Sequence, residues 1–362
     1  MKEKYIAARD DSLPILGTIH RVGIYPPYPI KKDSLLKRIW NRLWEDYLCL
    51  VDPYSGWILP AFIKGLRVIK KNKIDLIMAT GPPVSSMVIG CLLNIMTKTK
   101  LILDYRDPWS NQNWGYKKIF RKKFNQFFEK LAISRASALV FCSRIMMENF
   151  RDSLGKYTKA TCHVVTNGFY SRDTIEPLSL GNGRRNMVYA GKFYGEREIG
   201  LLIKPLFYLL NQGTINKNNF CCYIFGSLTN ENREVIKKYR LNEIIKEQPM
   251  VSYEKILRYL KGADILFLPS GSEFRYAIPF KFYDYLSVKR PILAVAPENS
   301  AVAEMMSQID CGRLALINSE ESILKNLRKM FSTEEEYAHS GSEQYTWDKI
   351  GDKYIAVLEG IR

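Results

Sequence analysis

Short apolar runs alternate with amphipathic stretches along most of the chain. The apolar runs at 75–79, 100–104, 138–142, 163–166, 187–190, 222–225, 265–268 and 292–296 predict buried strands of parallel sheets. The stretches between them predict helices at 84–96, 120–134, 143–150, 199–211, 230–239, 254–261, 280–287 and 319–331. Because this alternation occupies both halves, we expect an α/β protein with two doubly wound parallel-sheet domains.

The segment 171–185 divides the two halves. It is rich in Gly, Ser, Pro and Asn and has no periodicity, as is typical of a linker. We therefore expect an N-terminal domain at 1–170 and a C-terminal domain that begins at 171. In two facing domains of this kind, ligands bind in the cleft between the carboxyl ends of the sheets.

Charge is distributed unevenly between the two domains. Residues 1–175 carry 29 Lys and Arg against 14 Asp and Glu, a net charge of +15, while the whole chain carries +17. The basic half could face nucleic acid, an anionic membrane or a phosphorylated substrate. A lysine-rich solvated surface would explain the same charge without any partner.

Composition excludes several classes of protein. With 46% hydrophobic residues and no apolar run of membrane-spanning length, the sequence predicts neither a disordered chain nor a transmembrane helix. Seven cysteines without a CxxC pair favour a reducing cytoplasm and argue against structural zinc. The three histidines are far apart in sequence, so a metallohydrolase is not expected.

Two segments of the second half carry candidate chemistry. Gly191 ends a predicted strand between a sheet and a helix, where a ligand can approach the backbone, and Lys192 and Arg197 suit a diphosphate. Lys281 lies in the first turn of a later helix, and Asp284 lies on the same helix face. This pair could hold a phosphate and a ribose diol, or it could be a surface ion pair.

In sequence order, these segments resemble glycosyltransferase family 4, of the GT-B fold, and within it the bacterial polysaccharide and O-antigen enzymes. The tracts that carry the resemblance are 74–86, 101–109, 166–168, 189–197, 263–270, 278–294 and 345–348. The resemblance implies a retaining transfer from a UDP- or GDP-sugar to a lipid-linked or saccharide acceptor, without cofactor or metal. It also implies a C-terminal domain at 171–344 and a last helix at 345–362 that crosses back to the N-terminal domain.

The resemblance assigns roles to individual residues. Donor-binding positions are Gly191, Lys192, Arg197, Gly226, Val251, Glu273, Ile278, Lys281 and Asp284. Catalytic positions are Asp107, Arg106, Lys192 and Arg197, and the acceptor side is formed by Thr80, Gly81 and Pro82. Fixed cations would stabilise the leaving diphosphate, and Asp107 would accept a proton or position the acceptor. For Arg106, a loop held by an Arg–Asp pair is an equally good interpretation.

Two features depart from the family pattern. The family places a glutamate about eight residues before the ribose carboxylate, but position 276 is Tyr and the nearest glutamate is Glu273. The family's first strand, glycine-rich loop and first helix have no counterpart, and 5–9 resembles the second strand. We therefore expect an N-terminal domain without its first βα unit, through a displaced gene start or a real loss.

A basic amphipathic helix is predicted at 34–50. Trp40 and Trp44 share its apolar face, and Lys37, Arg38 and Arg42 flank them, which is typical of interfacial binding. We therefore expect peripheral attachment to the inner face of the cytoplasmic membrane. For the stripe Phe120, Phe124, Phe127 and Leu131, core packing explains the pattern at least as well.

Other classes of function remain open at this point. A nonhydrolysing sugar-nucleotide epimerase and a catalytically impaired GT-B scaffold would share the fold. A nucleic-acid-binding protein would explain the basic half through phosphate contacts. It would leave Lys192, Arg197 and Asp284 unexplained, so no nucleic-acid partner is expected.

Overall fold

A computed structural model describes residues 17–24, 39, 49–110, 119–181, 183–193, 198–332 and 336–361. These residues form an N-terminal and a C-terminal unit, each built on a parallel β-sheet covered by helices. The predicted α/β class with two parallel sheets is confirmed. Among the described helices, none has both the length and the apolar character needed to cross a bilayer.

The N-terminal unit has a four-stranded sheet in the order β1-β2-β3-β4. Its strands are β1 (Leu76–Gly81), β2 (Lys100–Tyr105), β3 (Ala138–Phe141) and β4 (Thr161–Val164). Its helices are α1 (Ile58–Asn72), α2 (Val84–Thr97), α3 (Ile119–Arg135) and α4 (Arg144–Leu154). The central strands β2 and β3 are covered on both faces, which explains why they are nearly continuous apolar runs.

The C-terminal unit has a six-stranded sheet in the order β10-β9-β8-β5-β6-β7. The strands are β5 (Arg185–Ala190), β6 (Phe220–Phe225), β7 (Ile245–Gln248), β8 (Ile265–Pro269), β9 (Ile292–Ala296) and β10 (Gly312–Leu316). The strand order reverses between β5 and β8, which lie side by side. A crevice opens at such a reversal, beyond the carboxyl ends of the strands.

Helices cover both faces of this second sheet. They are α5 (Gly200–Asn211), α6 (Asn230–Lys238), α7 (Tyr253–Lys261), α8 (Phe280–Val288), α9 (Ala301–Gln308) and α10 (Glu320–Ser332). Side-chain caps begin four of them, because the hydroxyls of Thr229, Ser252, Ser300 and Ser319 accept hydrogen bonds from the first turns of α6, α7, α9 and α10. These caps fix where the loops at the strand ends turn into helices.

The edge strands β7 and β10 were absent from the sequence-based prediction. In β7 only Ile245 is buried, and Lys246 and Glu247 are exposed. Strand β10 is likewise mostly half-buried or exposed. Both therefore lack the continuous apolar run that marks the central strands.

The last helix, α11 (Trp347–Glu359), packs against the N-terminal sheet. Ile350 and Val357 are buried in one cluster with Ile102, Val140 and Val165. The first residue of the helix is held by the chain that follows β4, since the Trp347 amide donates to the carbonyl of Phe169 at 3.0 Å. The end of the chain thus belongs to the packing of the N-terminal unit.

The aromatic stripe of α3 is only partly buried. Phe124 and Leu131 pack against the N-terminal core, but Phe120 is 65% exposed and Phe127 is 61% exposed. The core-packing interpretation is therefore wrong for these two residues. Asn125 lies on the buried face of α3, where its side-chain oxygen accepts a hydrogen bond from Trp109 Nε1 at 2.8 Å.

Several predicted features lie outside the described residues. They are the strand-like segment 5–9 and the membrane-facing residues Lys37, Arg38, Trp40, Arg42 and Trp44. Of the predicted helix at 34–50, only residue 39, which is helical, and residues 49–50 are described.

His339 makes folding sensitive to acid. It is buried, neither of its ring nitrogens has a hydrogen-bond partner among the described residues, and burial lowers its pKa from 6.5 to about 4. The unfolded chain therefore binds a proton more readily, and stability falls as the pH drops from 6.5 towards about 4. After allowance for solvent screening, we expect a loss of about 2 kcal/mol.

Urea unfolding across this pH range, with His339→Asn as the comparison, measures this loss. Asparagine tolerates the left-handed backbone (φ 53°) of position 339 and does not titrate. The difference between the two proteins should change steadily as the pH falls. A constant difference would show that His339 is not the responsible group.

Candidate functional site

A cavity of about 210 Å³ lies at the carboxyl ends of β5, β6 and β7, beside the start of α8. We call it the switch-point cavity. Its lining includes Gly191, Val251, Lys281 and Asp284, four of the residues predicted to bind the donor. The fold thus brings together side chains that are up to 93 positions apart in the sequence.

Two glycines make the backbone accessible at this point. Gly191 has a φ of 127°, and a Cβ placed on it would lie 2.6 Å from Lys281 Nζ. A Cβ placed on Gly226 would lie 2.1 Å from the carbonyl oxygen of Gly191. At Gly191 the positive φ disfavours any other residue, and at Gly226 the backbone carbonyl of Gly191 occupies the space of a side chain.

Lys281 is fixed against an aromatic ring at the wall of the cavity. Its Nζ donates to the Tyr189 hydroxyl at 2.6 Å and lies 3.9 Å from the centroid of the same ring. The Tyr189 hydroxyl in turn donates to the Lys192 carbonyl at 2.9 Å, and its ring stacks on Phe193. A positioned cation beside the N-terminus of α8 favours the binding of an anion.

The carboxylate of Asp284 accepts a hydrogen bond from the Tyr253 hydroxyl at 2.6 Å. Burial raises the pKa of Asp284, while the Tyr253 hydrogen bond, Arg172 and Lys281 act in the opposite direction. Asp284 also lines a second cavity of about 150 Å³, which we call the linker cavity because Gly168 and Arg172 form part of it. A carboxylate placed between two cavities can accept hydrogen bonds from a diol.

The remaining predicted donor residues lie elsewhere. Lys192 and Glu273 are exposed, Ile278 is buried in the core of the C-terminal unit, and none of the three lines the switch-point cavity. Gly226 contributes through its contact with Gly191. Arg197 lies outside the described residues. The donor-binding roles of all these residues stay predictions.

Tyr253 and Tyr189 were missed by sequence reasoning. Tyr253 opens α7 after the cap residue Ser252, but nothing in the sequence indicates that the start of α7 lies beside α8. Tyr189 lies within an apolar strand, so its hydroxyl gave no signal of a contact with Lys281. Both are recognised only through the tertiary structure.

At the end of β2, Arg106 and Asp104 form a bidentate pair. Arg106 Nη2 lies 2.8 Å from Asp104 Oδ1, and Nε lies 3.0 Å from Oδ2. Arg106 Nη1 also donates to the carbonyl of Val165 at 3.1 Å and to Asn167 Oδ1 at 3.2 Å. Tyr354 of α11 donates to Asp104 at 3.2 Å. The pair therefore joins β2, the start of the linker and the last helix.

These contacts give Arg106 the structural role that sequence reasoning left open for it. A direct part of Arg106 in catalysis stays a prediction. Asp107 follows directly at the carboxyl end of β2 and is half-buried. Its proposed role towards the acceptor also stays a prediction.

The predicted acceptor side lies next to this pair. The Gly81 carbonyl accepts a hydrogen bond from the Arg106 amide at 2.9 Å, and the Thr80 carbonyl accepts one from the Ser86 hydroxyl. The peptide bonds Gly81–Pro82 and Pro82–Pro83 are both cis. The segment from Thr80 to Pro82, at the end of β1, lies beside Arg106, and its acceptor role stays a prediction.

Within the residues that the structure describes, no three His, Cys, Asp or Glu side chains gather as they would around a metal ion. All seven cysteines are free thiols. The expected independence of metals and cofactors stays a prediction.

Replacing Arg106 by Met should destabilise the fold. The side chain of Asp104 is 3% exposed, so its carboxylate would lose the partner that compensates its burial. We expect the free energy of unfolding to fall by about 3–5 kcal/mol. Urea unfolding of Arg106→Met and of the double variant Asp104→Asn/Arg106→Met tests this. The double variant should recover part of the loss, whereas unchanged stability of Arg106→Met would contradict a structural pair.

The comparison with protein families concerns the N-terminal unit. Residues 19–170 match the model of the family described as Glycosyltransferase Family 4. None of the curated protein sequences matches the chain.

Solved structures resemble the whole two-unit architecture. A sucrose-phosphate synthase from Thermosynechococcus elongatus has a TM-score of 0.62 at 13% identity, covering 84% of this chain and 78% of that protein. A glycosyltransferase from Rickettsia africae has a TM-score of 0.60 at 14% identity, with 84% and 81% covered. Anabaena HepE in complex with UDP has a TM-score of 0.60 at 13% identity, with 83% and 82% covered.

At these identities the structural likeness establishes the fold alone, and the family model applies to residues 19–170. The two parallel sheets correspond to the predicted GT-B fold. Residues 19–170 thus match glycosyltransferase family 4, and the chain as a whole shares the GT-B fold of these solved structures.

Proposed function

We propose that this protein transfers a sugar, with retention at the anomeric carbon, from a nucleotide diphosphate sugar to a lipid-linked or saccharide acceptor. The observation that carries the donor half of this proposal is the convergence of Gly191, Val251, Lys281 and Asp284 on the switch-point cavity. Anabaena HepE has been solved with UDP and with UDP-glucose, which favours UDP over GDP as the nucleotide.

The chemistry of the cavity wall suggests how the donor is oriented. The diphosphate would lie beside Gly191, where the Lys281 ammonium and the amides at the start of α8 offer positive charge. The ribose diol would bind the Asp284 carboxylate, and the base would lie along Met250 and Val251. In this orientation the polar parts of the donor face the polar residues of the cavity and the base faces the apolar ones.

This site can lower the energy barrier to transfer by stabilising the negative charge on the leaving nucleotide. As the bond to the sugar breaks, negative charge grows on the diphosphate, and a fixed cation stabilises it without a metal ion. One well-placed group of this kind contributes about 3 kcal/mol. The contact of Lys281 with the Tyr189 ring supports this role for it, and Lys192 and Arg197 would add to it. Asp107 would act on the acceptor hydroxyl.

Replacing Lys281 by Met should weaken UDP binding at least about ten-fold, because a charge-assisted contact is lost. Isothermal titration with UDP measures this, and Lys325→Met provides a matched control on the exposed surface of α10. If Lys281→Met bound UDP with wild-type affinity, the diphosphate would not lie against this wall of the cavity.

The same titration tests the ribose contact. The wild-type protein should prefer UDP to 2′,3′-dideoxy-UDP by about ten-fold, and Asp284→Asn should lose most of this preference. An equal preference in both proteins would place the ribose elsewhere.

We also propose that the enzyme works at the inner face of the cytoplasmic membrane, in the synthesis of a cell-surface polysaccharide such as O-antigen or capsule. The net charge of +15 in residues 1–175 supports attraction to anionic lipids. Phe120 and Phe127 expose apolar rings on one face of α3, with the exposed Lys123 between them. Rings beside lysines are typical of interfacial binding.

Replacing Phe120 and Phe127 by Ser should reduce co-sedimentation with anionic vesicles, because two membrane-facing rings are lost. Raising salt from about 0.05 M to about 0.3 M should weaken binding of the wild-type protein. The control Tyr208→Ser removes an exposed ring from the C-terminal unit and should have no effect. Equal pelleting with neutral and anionic vesicles, or none with either, would contradict this proposal.

A further inference from the structure

A cluster of basic residues lies on the surface of the N-terminal unit, where α3 passes the end of α4. Lys130 of α3 and Lys156 approach the same ring, that of Tyr157, with their Nζ atoms 4.4 Å and 5.3 Å from the ring centroid. We call these three residues the lysine–tyrosine cluster. Tyr157 is 37% exposed, so the cluster is open to solvent. It shares no residue with the switch-point cavity or the linker cavity.

The local backbone fixes the position of this cluster. Its last two residues lie in the short 3₁₀ turn Gly155–Tyr157, which follows α4 directly. The Thr158 hydroxyl donates to the Ile133 carbonyl of α3 at 2.6 Å and thereby ties the turn to the helix that carries Lys130. Cation–π contacts hold both lysine side chains against the ring. The arrangement is therefore built into the fold.

The lysine–tyrosine cluster concentrates positive charge without a compensating carboxylate. Hydrogen bonding with Lys130, followed by the charges of Lys130 and Lys156, lowers the pKa of Tyr157, because both ammonium groups lie close to its hydroxyl. Among the residues that the structure describes, neither lysine forms an ion pair with Asp or Glu. Lys159 adds an exposed cation two positions beyond the ring. Like charges held close together repel each other, so the cluster favours an anionic ligand.

Exposed aromatic rings lie beside the cluster on the same face of α3. Phe127 precedes Lys130 by three positions and is 61% exposed. Phe120 lies about two helical turns further along this face and is 65% exposed. The Phe127 ring packs edge-on against the half-buried Phe128, with 5.4 Å between the ring centroids, which holds it in place. Cations and exposed rings on one helix face are typical of binding at a membrane interface.

We propose that the lysine–tyrosine cluster binds the phosphomonoester headgroup of an anionic lipid such as phosphatidate. The two ammonium groups would donate to two phosphate oxygens, and the Tyr157 hydroxyl would donate to the third. Phe120 and Phe127 would lie among the acyl chains beside the headgroup. The inference rests on the proposed membrane attachment and deepens it by naming the lipid.

The charge of the cluster favours a phosphomonoester over other anions. Such a group carries about −1.5 to −2 charges at neutral pH and three acceptor oxygens, which matches two ammonium groups and one hydroxyl. A phosphodiester headgroup carries a single charge and would leave one ammonium group uncompensated. Free phosphate matches the charges but has no chains to cover the exposed rings, and removing those rings from water adds to binding.

The cluster lies away from the cleft between the two units. Ser143 marks the cleft end of α4, since its hydroxyl donates to the Tyr276 carbonyl of the C-terminal unit. The cluster follows the other end of α4, and a helix of 11 residues is about 16 Å long. A lipid bound here would therefore not be the substrate that reacts with the donor. It would attach the N-terminal unit and hold α3 along the membrane surface.

Co-sedimentation with two kinds of vesicle tests the proposal. Both consist of phosphatidylcholine, one with phosphatidate and one with phosphatidylglycerol, adjusted to the same zeta potential. The wild-type protein should bind the phosphatidate vesicles at least about five-fold more tightly at about pH 7.5. At about pH 5.5 most phosphomonoester groups keep their second proton, whose pKa is about 6, so the preference should disappear.

Paired variants separate the cluster from general electrostatic attraction. Lys130→Gln/Lys156→Gln should lose the preference for phosphatidate and keep the wild-type melting temperature, because neither side chain lies in the core. Lys70→Gln/Lys71→Gln removes the same charge from the exposed end of α1 and should keep the preference. Glycerol 3-phosphate, which is the headgroup without chains, should not displace the wild-type protein from the vesicles.

Three results would overturn the inference. They are equal binding to both kinds of vesicle at about pH 7.5, an equal loss of preference in the two double variants, and release by glycerol 3-phosphate. In each case, pelleting with anionic vesicles would still support membrane attachment. The absence of pelleting with either anionic vesicle would overturn the attachment and the inference with it. Failure of the lipid site is thus distinguishable from failure of the attachment.

Discussion

The buried pair of Asp104 and Arg106 is the interaction on which the arrangement of the two units depends. A carboxylate removed from water must be compensated, and Arg106 does so with two parallel hydrogen bonds. The remaining donors of the guanidinium reach Val165 and Asn167, where the chain leaves the first sheet. Tyr354 of the last helix shares the same carboxylate. One charge requirement thus fixes both chain segments that connect the units.

This constraint extends to the switch-point cavity through the linker. Gly168 approaches Tyr345 so closely that an added Cβ would lie 2.8 Å from the Tyr345 carbonyl oxygen. Four residues later, the Arg172 amide donates to the carbonyl of Ser287 at the end of α8, at 3.1 Å. The chain that leaves the Asp104–Arg106 pair therefore runs directly along the helix that holds Asp284. The carboxyl end of β2 and helix α8 are thus linked by a short, well-bonded segment.

Sequence reasoning succeeded where one local property decides the structure. Central strands such as β3 and β9 are buried on both faces and must be apolar, and Gly191 was recognised because a strand end before a helix is a common ligand site. The edge strand β7 lacks that signal. Contacts between distant segments, such as Tyr253 with Asp284, depend on helix placement that no local pattern encodes. Helical periodicity alone also could not decide which face of α3 is buried, and the exposed Phe120 shows this.

The hydrogen bond between Tyr253 and Asp284 has a consequence for ligand selection. The tyrosine hydroxyl gives the carboxylate a hydrogen-bond partner within the protein itself. Under the proposed ribose contact, a ribose hydroxyl would replace this hydrogen bond with another, and the exchange itself would yield little net affinity. A ligand without that hydroxyl would displace the tyrosine hydroxyl without forming a hydrogen bond in its place. Asp284 would therefore act mainly as a discriminator, excluding incomplete ligands, while binding strength comes from the charged end of the molecule.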